Sequence, residues 1–457
     1  MFTKSIHIWK VLFAFALLQN AVLAQQKNNS SPIANEYLLN LQKKVDSIKA
    51  VKQSSKSSNN KSSSNIPSQY ARGGYSTNKT TIDNAYKNLT EAEKEKVKNY
   101  PPVPEAFRTD IDAKIFLAKI NTVDVNADLQ KYAKEKSMAL IGFFISYQNT
   151  KAKAEKLIAE AEKLKAAFNK SNPTINFGTN IGKTYVSENG LVFLPLGDAS
   201  FADEVVAVKY FSGNIQFAKE NCIGTPDYVL MKKLADNKGI YSLGLNGTLT
   251  VKFANNALVD VSGPDLFVFE TGQIESTNLD ISKDGITWIN VGKISGGTAL
   301  VDINKFVQPN EYFYYVRLTD LKTESTIAGA DIDAVAAIGA AIKLSLNAEV
   351  LFDVGKADLK PDGIAAIKKL AMQLQTMPTA LLNIDGYTDD IGSDESNNKL
   401  SLQRANAVAI ILKQELKSKT GFVFNQTGRG KANPAVPNNS DDNRRKNRRV
   451  EILVTPK

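Results

Sequence analysis

Between Leu140 and Phe168 apolar residues recur by alternating steps of three and four: Leu140, Phe143, Tyr147, Thr150, Ala154, Leu157, Ala161, Leu164 and Phe168. That spacing puts them on one stripe of a long helix. The stripe has the form of a coiled-coil seam, but its alanine and threonine members weaken it. A hairpin folded on the segment around Ile111 to Ile120 is therefore preferred to self-association of two chains, which stays the alternative. From about Pro173 to Leu344 the period drops to two, as where Leu249, Val251 and Phe253 alternate with Thr248, Thr250 and Lys252. Asn246-Gly247 and Asp284-Gly285 are hairpin signals because these residue types tolerate positive φ. Several short strands at this spacing predict an all-β sandwich. After residue 343 strands and helices alternate: strands over 344–352, 380–387 and 448–454, and helices over 361–377 and 397–416. The expectation there is a compact α/β domain.

Before Pro104 the periodicity fades. Lys4 and Lys10, the apolar run Val11 to Leu18 and the ending Ala21-Val22-Leu23-Ala24 read as a secretory signal peptide over 1–24. No cysteine follows the expected cut, which argues against a lipid-modified N-terminus. The stretch KQSSKSSNNKSSSN (52–65) lacks the apolar surface to offset the entropy of ordering, so 25–103 reads as a flexible low-complexity tether with one short helix at Ile33 to Val51. The predicted organisation is then signal peptide 1–24, tether 25–103, helical segment 104–172, β-sandwich 173–342 and α/β domain 343–457.

Composition narrows the chemistry. The single histidine, His7, falls in the expected signal peptide, and the single cysteine, Cys222, reads as a buried apolar residue. Ser/His/Asp and Cys/His catalysis and histidine-bearing zinc sites are thereby excluded from the processed chain. Lys and Arg total 57 against 47 Asp and Glu, a formal charge of +10. An exported basic protein meets anionic glycans and lipid headgroups rather than nucleic acid, despite the run KNRRV (446–450).

The stretch GYTDDIGSDESNNKLSLQRANAVAIIL (386–412) sets Asp389 just after a predicted strand and Arg404 on the following helix, whose expected start at Asn397-Asn398 supplies a cap. A guanidinium can clamp a carboxylate and a carboxylate can accept from an ammonium, so the two together can hold a zwitterion. They could equally neutralise each other, and spacing does not separate the two readings.

The string T-D-x-x-G (Thr388, Asp389, Gly392) followed by N-x-x-L-S-x-x-R-A-x-x-V (Asn397, Leu400, Ser401, Arg404, Ala405, Val408) resembles the C-terminal OmpA-like peptidoglycan-binding domain. LFDVGKADLKPDG (351–363), GRGKANPAVPN (428–438) and NRRVEI (447–452) are similar to its opening and closing segments. The resemblance implies non-catalytic capture of the diaminopimelate side chain of the peptidoglycan stem peptide. Carried over by position, Asp389 would accept from the ligand's ammonium and Arg404 would clamp its carboxylate. Asn397 would orient the loop, and Arg448 would add a second positive charge. Tyr387 stands where the family often has histidine, and reads as a packing residue.

Residues 242–272, 280–292 and 330–338 resemble jelly-roll modules of bacterial surface proteins, akin to galactose-binding-like sandwiches. Asp265, Glu270, Glu275, Asp331 and Asp333 offer oxygen ligands of the kind calcium takes, against the reading that they are solvated strand-end acids. Trp288 and the Tyr312 to Tyr315 cluster motivate a glycan as ligand of the sandwich, against the commoner place of aromatics in a core. The whole reads as an exported envelope protein, periplasmic or outer-membrane associated and attached to the cell wall, with no cofactor beyond a structural calcium. No array of ~10-residue alternating strands suggests an integral barrel. The alternatives are an adhesin or assembly component whose sandwich binds glycan or protein, and a wall-modifying enzyme working through paired carboxylates, of which no pair is marked.

Overall fold

The computed structural model describes residues 79–457 apart from 105, 179–180, 188–189, 210–217, 228–238, 272–274 and 322–328. All of them fall in the second of two units into which the chain divides, Gln69–Lys457. The expected signal peptide, the KQSSKSSNNKSSSN stretch and the short helix at Ile33 to Val51 lie outside the described residues.

Five helices come first: Lys79–Lys87 (α1), Glu91–Val97 (α2), Asp110–Ile120 (α3), Val125–Lys134 (α4) and Met138–Ser171 (α5). Reciprocal capping boxes, Thr90 with Glu93 and Thr109 with Asp112, start α2 and α3. The tether expected as far as 103 therefore gives way to helix by residue 79. Ile82, Leu89 and Val97 are buried there, too few and too scattered among lysines to show as a periodic stripe. The seam on α5 is buried from Leu140 to Ala161. It is covered within the chain, in one cluster with Phe116, Leu117 and Ile120 of α3 and Tyr132 of α4, whose ring stacks on Phe144 at 5.5 Å. This is the hairpin-type arrangement. Leu164 is left partly exposed, at 37%, and Phe168 packs on Phe193 instead, with centroids 5.6 Å apart.

The hairpin Lys183–Ser187 (β1) and Gly190–Leu194 (β2) leads into the strands Glu204–Lys209 (β3), Tyr241–Ser242 (β4), Thr248–Lys252 (β5), Asn256–Leu258 (β6), Leu266–Thr271 (β7), Thr277–Ser282 (β8), Trp288–Ile294 (β9), Thr298–Val301 (β10), Tyr315–Asp320 (β11) and Asp331–Ala337 (β12). All of β3 to β12 except β6 fall in two antiparallel sheets, one in the order β3-β5-β11-β8-β9 and another in the order β10-β7-β12-β4. Leu249, Val251, Leu279 and Val316 of the first share a core with Leu266, Val268, Ile332 and Val335 of the second. Asp284-Gly285 closes β8 onto β9, with Gly285 at φ +76°. Asn246-Gly247 does not close a hairpin: it carries the chain from β4 in one sheet to β5 in the other.

The C-terminal part comprises Ala340–Asn347 (β13), Ala348–Leu351 (α6), Pro361–Leu374 (α7), Ala380–Tyr387 (β14), Asp394–Glu415 (α8), Phe422–Gly428 (β15), Asp441–Asn447 (α9) and Arg449–Pro456 (β16). The strand expected over 344–352 stops at Asn347, whose side chain accepts from Glu349 N–H at 2.8 Å and so starts a helical turn. Strand β15 falls where no strand is expected from the sequence pattern. The sheet order is β15-β14-β16-β13-β6, with only β14 and β15 parallel.

Strand β6, from the preceding module, is therefore the outer strand of this sheet. The boundary placed between 342 and 343 runs through β13, which pairs with β6 at its start and with β16 from Ile342 onward. Lys343 Nζ sits 3.4 Å from Glu451 and 4.5 Å from the Tyr314 ring centroid, and Tyr312 Oη meets Thr455 Oγ1 at 3.2 Å. One apolar cluster runs from Leu249 and Val268 through Ile342 to Ile384 and Val454. A shared core predicts shared cooperativity: scanning calorimetry of the chain should show residues 173–457 melting in one transition, and two resolved transitions for the module and the C-terminal part would contradict this.

Candidate functional site

The site is built where α8 lies directly on the backbone of two strands. Gly386 of β14 and Gly428 of β15 are register partners. A Cβ on Gly386 would stand 2.0 Å from Ser401 O, and one on Gly428 would stand 2.5 Å from Asn398 O. Two residues without side chains let the helix approach this closely. Ser401 Oγ then donates to Asn398 O at 2.9 Å and accepts from Gly430 N–H at 3.0 Å, while Thr388 N–H donates to Gly430 O at 2.8 Å. The loop after β14, the loop after β15 and α8 are thus fixed to one another. Helix α8 begins at Asp394, earlier than the expected Asn397, because Ser393 Oγ accepts from Ser396 N–H at 3.2 Å and Asp394 and Glu395 suit the helix N-terminus.

Asp389 and Arg404 are both held here, and they are not paired with each other. Asp389, 6% exposed, accepts at Oδ2 from Arg448 Nη1 at 2.6 Å and at Oδ1 from Ile391 N–H at 3.1 Å. Arg448 Nη2 reaches Glu349 Oε1 at 2.7 Å. Arg404, 3% exposed, donates Nε–H to Lys356 O at 3.0 Å and lies over the Phe352 ring, 5.2 Å from its centroid. Among the described residues it has no ion-pair partner. Burial and the Arg448 charge push its pKa down, with Asp389 opposing, yet a guanidinium stays charged in proteins. For Arg448, burial works against the charge and is outweighed by the bonds to Asp389 and Glu349, so its pKa is raised. The side-chain amide nitrogen of Asn397 is buried and meets no hydrogen-bond acceptor among the described residues. The Tyr387 ring is buried beneath the Arg449 guanidinium, 3.9 Å from its centroid, a packing position. Glu349, Phe352 and the carbonyl of Lys356 were not foreseen as parts of the site. All three lie in or beside the LFDVGKADLKPDG segment.

Residues 351–448 match the OmpA family. This segment is an OmpA family domain. The Escherichia coli (strain K12) protein described as probable lipoprotein YiaD is 33% identical over 144 residues, 31% of this chain and 64% of that protein. Outer membrane porin F of Pseudomonas aeruginosa is 35% identical over 133 residues, 29% of this chain and 38% of the porin. Peptidoglycan-binding protein ArfA of Mycobacterium bovis is 36% identical over 114 residues, 25% of this chain and 34% of ArfA. The chain spans less than two thirds of the length of each.

Outside the OmpA family domain, the five acids expected as calcium ligands take separate places. Asp265 Oδ1 and Oδ2 accept from Val261 N–H at 2.6 Å and Ile303 N–H at 2.8 Å. Glu270 accepts from Gly297 N–H, Asp331 from the Ser242 hydroxyl, and Asp333 from Asp227 N–H at 3.1 Å. Glu275 is buried before β8. Among the described residues the three-carboxylate group with oxygens within 4.8 Å of one another is Asp260, Asp265 and Asp302, which includes one of the five. Cys222 is buried and donates to Lys219 O at 3.1 Å, and burial pushes its thiol up to about 12, the behaviour of an inert core residue.

Burial raises the Asp265 carboxyl to about 7 against the two N–H bonds, with Asp260 and Asp302 adding to the rise. Its unfolded value is about 3.9, so between about pH 4 and pH 7 the folded chain binds more protons and loses stability as pH increases. Melting temperatures of the chain and of Asp265→Asn, followed from about pH 5 to pH 8, should show a decline in the wild type that is shallower in the variant. Equal slopes would contradict the assignment.

Proposed function

We propose that the chain is a non-catalytic envelope protein that anchors to peptidoglycan through its OmpA family domain, capturing the zwitterionic end of the diaminopimelate side chain. The observation that carries this reading is that Asp389 and Arg404 do not neutralise each other. A buried guanidinium without a carboxylate partner is costly unless something anionic meets it. A ligand carboxylate at Arg404, with its ammonium at Asp389, satisfies both charges. Arg448 adds positive charge at the Asp389 end, and the uncommitted Asn397 amide offers one more donor. The name of ArfA, a peptidoglycan-binding protein, supports the same class of ligand.

The two-sheet module, of jelly-roll type in this reading, would then be held at the wall by the shared sheet and present its surface to a glycan or an envelope protein. An exported, periplasmic or outer-membrane-associated location follows from the wall ligand. The two carboxylates of the site, Asp389 and Glu349, are both engaged by Arg448, which favours binding over wall hydrolysis.

Co-sedimentation of the full chain with purified diaminopimelate-type sacculi tests the proposal. Charge-assisted hydrogen bonds are worth about 1.5–3 kcal/mol, so Asp389→Ala and Arg404→Ala should each weaken binding by about 10-fold or more. Arg404→Lys, which keeps the charge without the fork, should fall between. If all four proteins pellet alike while melting at similar temperatures, the site does not hold the wall.

A further inference from the structure

Arg448 divides its guanidinium between carboxylates on different elements. One prong reaches Asp389 Oδ2 at 2.6 Å and the other reaches Glu349 Oε1 at 2.7 Å. Glu349 is placed there by local structure: the Asn347 cap starts α6, and Ala348 N–H donates to Arg448 O at 3.0 Å, tying the turn to the arginine's own backbone. Arg445 Nε lies 3.5 Å from the same Glu349 oxygen and is also paired with Asp442 at 3.3 Å. A guanidinium free to choose tends to close both prongs on one carboxylate. Here Glu349 takes one of them. Asp389 therefore receives one N–H from Arg448 and one from Ile391, out of about four lone-pair sites that a carboxylate offers.

We propose that Glu349 is a positioning residue for ligand capture: by engaging one prong of Arg448 it prevents bidentate closure on Asp389 and leaves that carboxylate able to accept an ammonium. The inference rests on the zwitterion reading of the site. The charges agree with it. Asp389, Glu349 and Asp442 balance Arg404, Arg448 and Arg445, so the set is neutral and polarised, as a zwitterion requires. Without Glu349 the ligand's ammonium would enter net positive surroundings, and Arg448 would compete with it for the same oxygens.

The test is a double-mutant cycle on the full chain, with binding measured by depletion onto diaminopimelate-type sacculi and onto the same sacculi after N-acetylation of their free amines. Glu349→Gln should weaken binding to untreated sacculi on the order of 5-fold, but change it less than about 2-fold in an Arg448→Gln background. On acetylated sacculi, which lack the ammonium, Glu349→Gln should match wild type. Equal losses in both backgrounds, no loss, or tighter binding would each overturn the role of Glu349. Should binding depend on Asp389 yet ignore Glu349→Gln, only this inference fails; should wild type not bind untreated sacculi at all, the reading of the site fails with it.

Discussion

The C-terminal part depends on the contact of helix α8 with the bare backbone of Gly386 and Gly428. No helix bearing side chains on both sides of that contact could come so near, and any Cβ at either glycine would meet helix backbone well inside van der Waals distance. From this approach follow the Ser401 bonds to Asn398 and Gly430, the course of the loop that carries Asp389, and the depth at which Arg404 is set. Charged groups on a surface loop would be screened and mobile. Charged groups clamped by a helix pressed onto a sheet are neither.

That clamping gives the electrostatics their meaning. Arg404 is nearly solvent-free and bonded through Nε to a carbonyl, which fixes its plane without neutralising it. Asp389 is partly compensated by an arginine that is itself shared. The arrangement is nearly neutral overall and locally divided, with a positive place at Arg404 and a negative one at Asp389. A monovalent ligand would satisfy half of it, whereas the zwitterion proposed as ligand, with ammonium and carboxylate on one carbon, would satisfy both. The same sheet that carries the site continues through β13 into β6, so force applied at the site reaches the two-sheet module through paired strands rather than through a linker.

Local signals were legible where the physics is local. ALLNIDGY, in which Leu382-Asn383-Ile384-Asp385 alternate, is a strand over those residues, and the three-and-four stripe from Leu140 to Ala161 is the buried side of α5. The OmpA-like string implied a common ligand for Asp389, Asn397 and Arg404, and the NRRVEI segment added Arg448. Their pairing was not legible. Arg448 meets Asp389 across 59 residues and Glu349 across 99, and no period or spacing encodes such contacts. Strand β15 was missed because it lies at the sheet edge, where Phe422 and Phe424 are only half-buried. β6 was missed as a member of this sheet because its three residues sit far earlier in the chain, and pairing of that kind depends on tertiary context. The separate places of the five acids expected as calcium ligands were not legible for a related reason: an acid that accepts from a nearby N–H or O–H looks the same in sequence as one aimed at a common point.

The most direct measurement is a crystal structure of the chain soaked with a stem tripeptide ending in diaminopimelate. The terminal ammonium should lie within hydrogen-bond reach of Asp389 and the adjoining carboxylate on the Arg404 guanidinium, with Arg448 still bridging to Glu349. A tripeptide bound elsewhere, or a site in which Asp389 and Arg404 have closed on each other with the ligand outside, would contradict it.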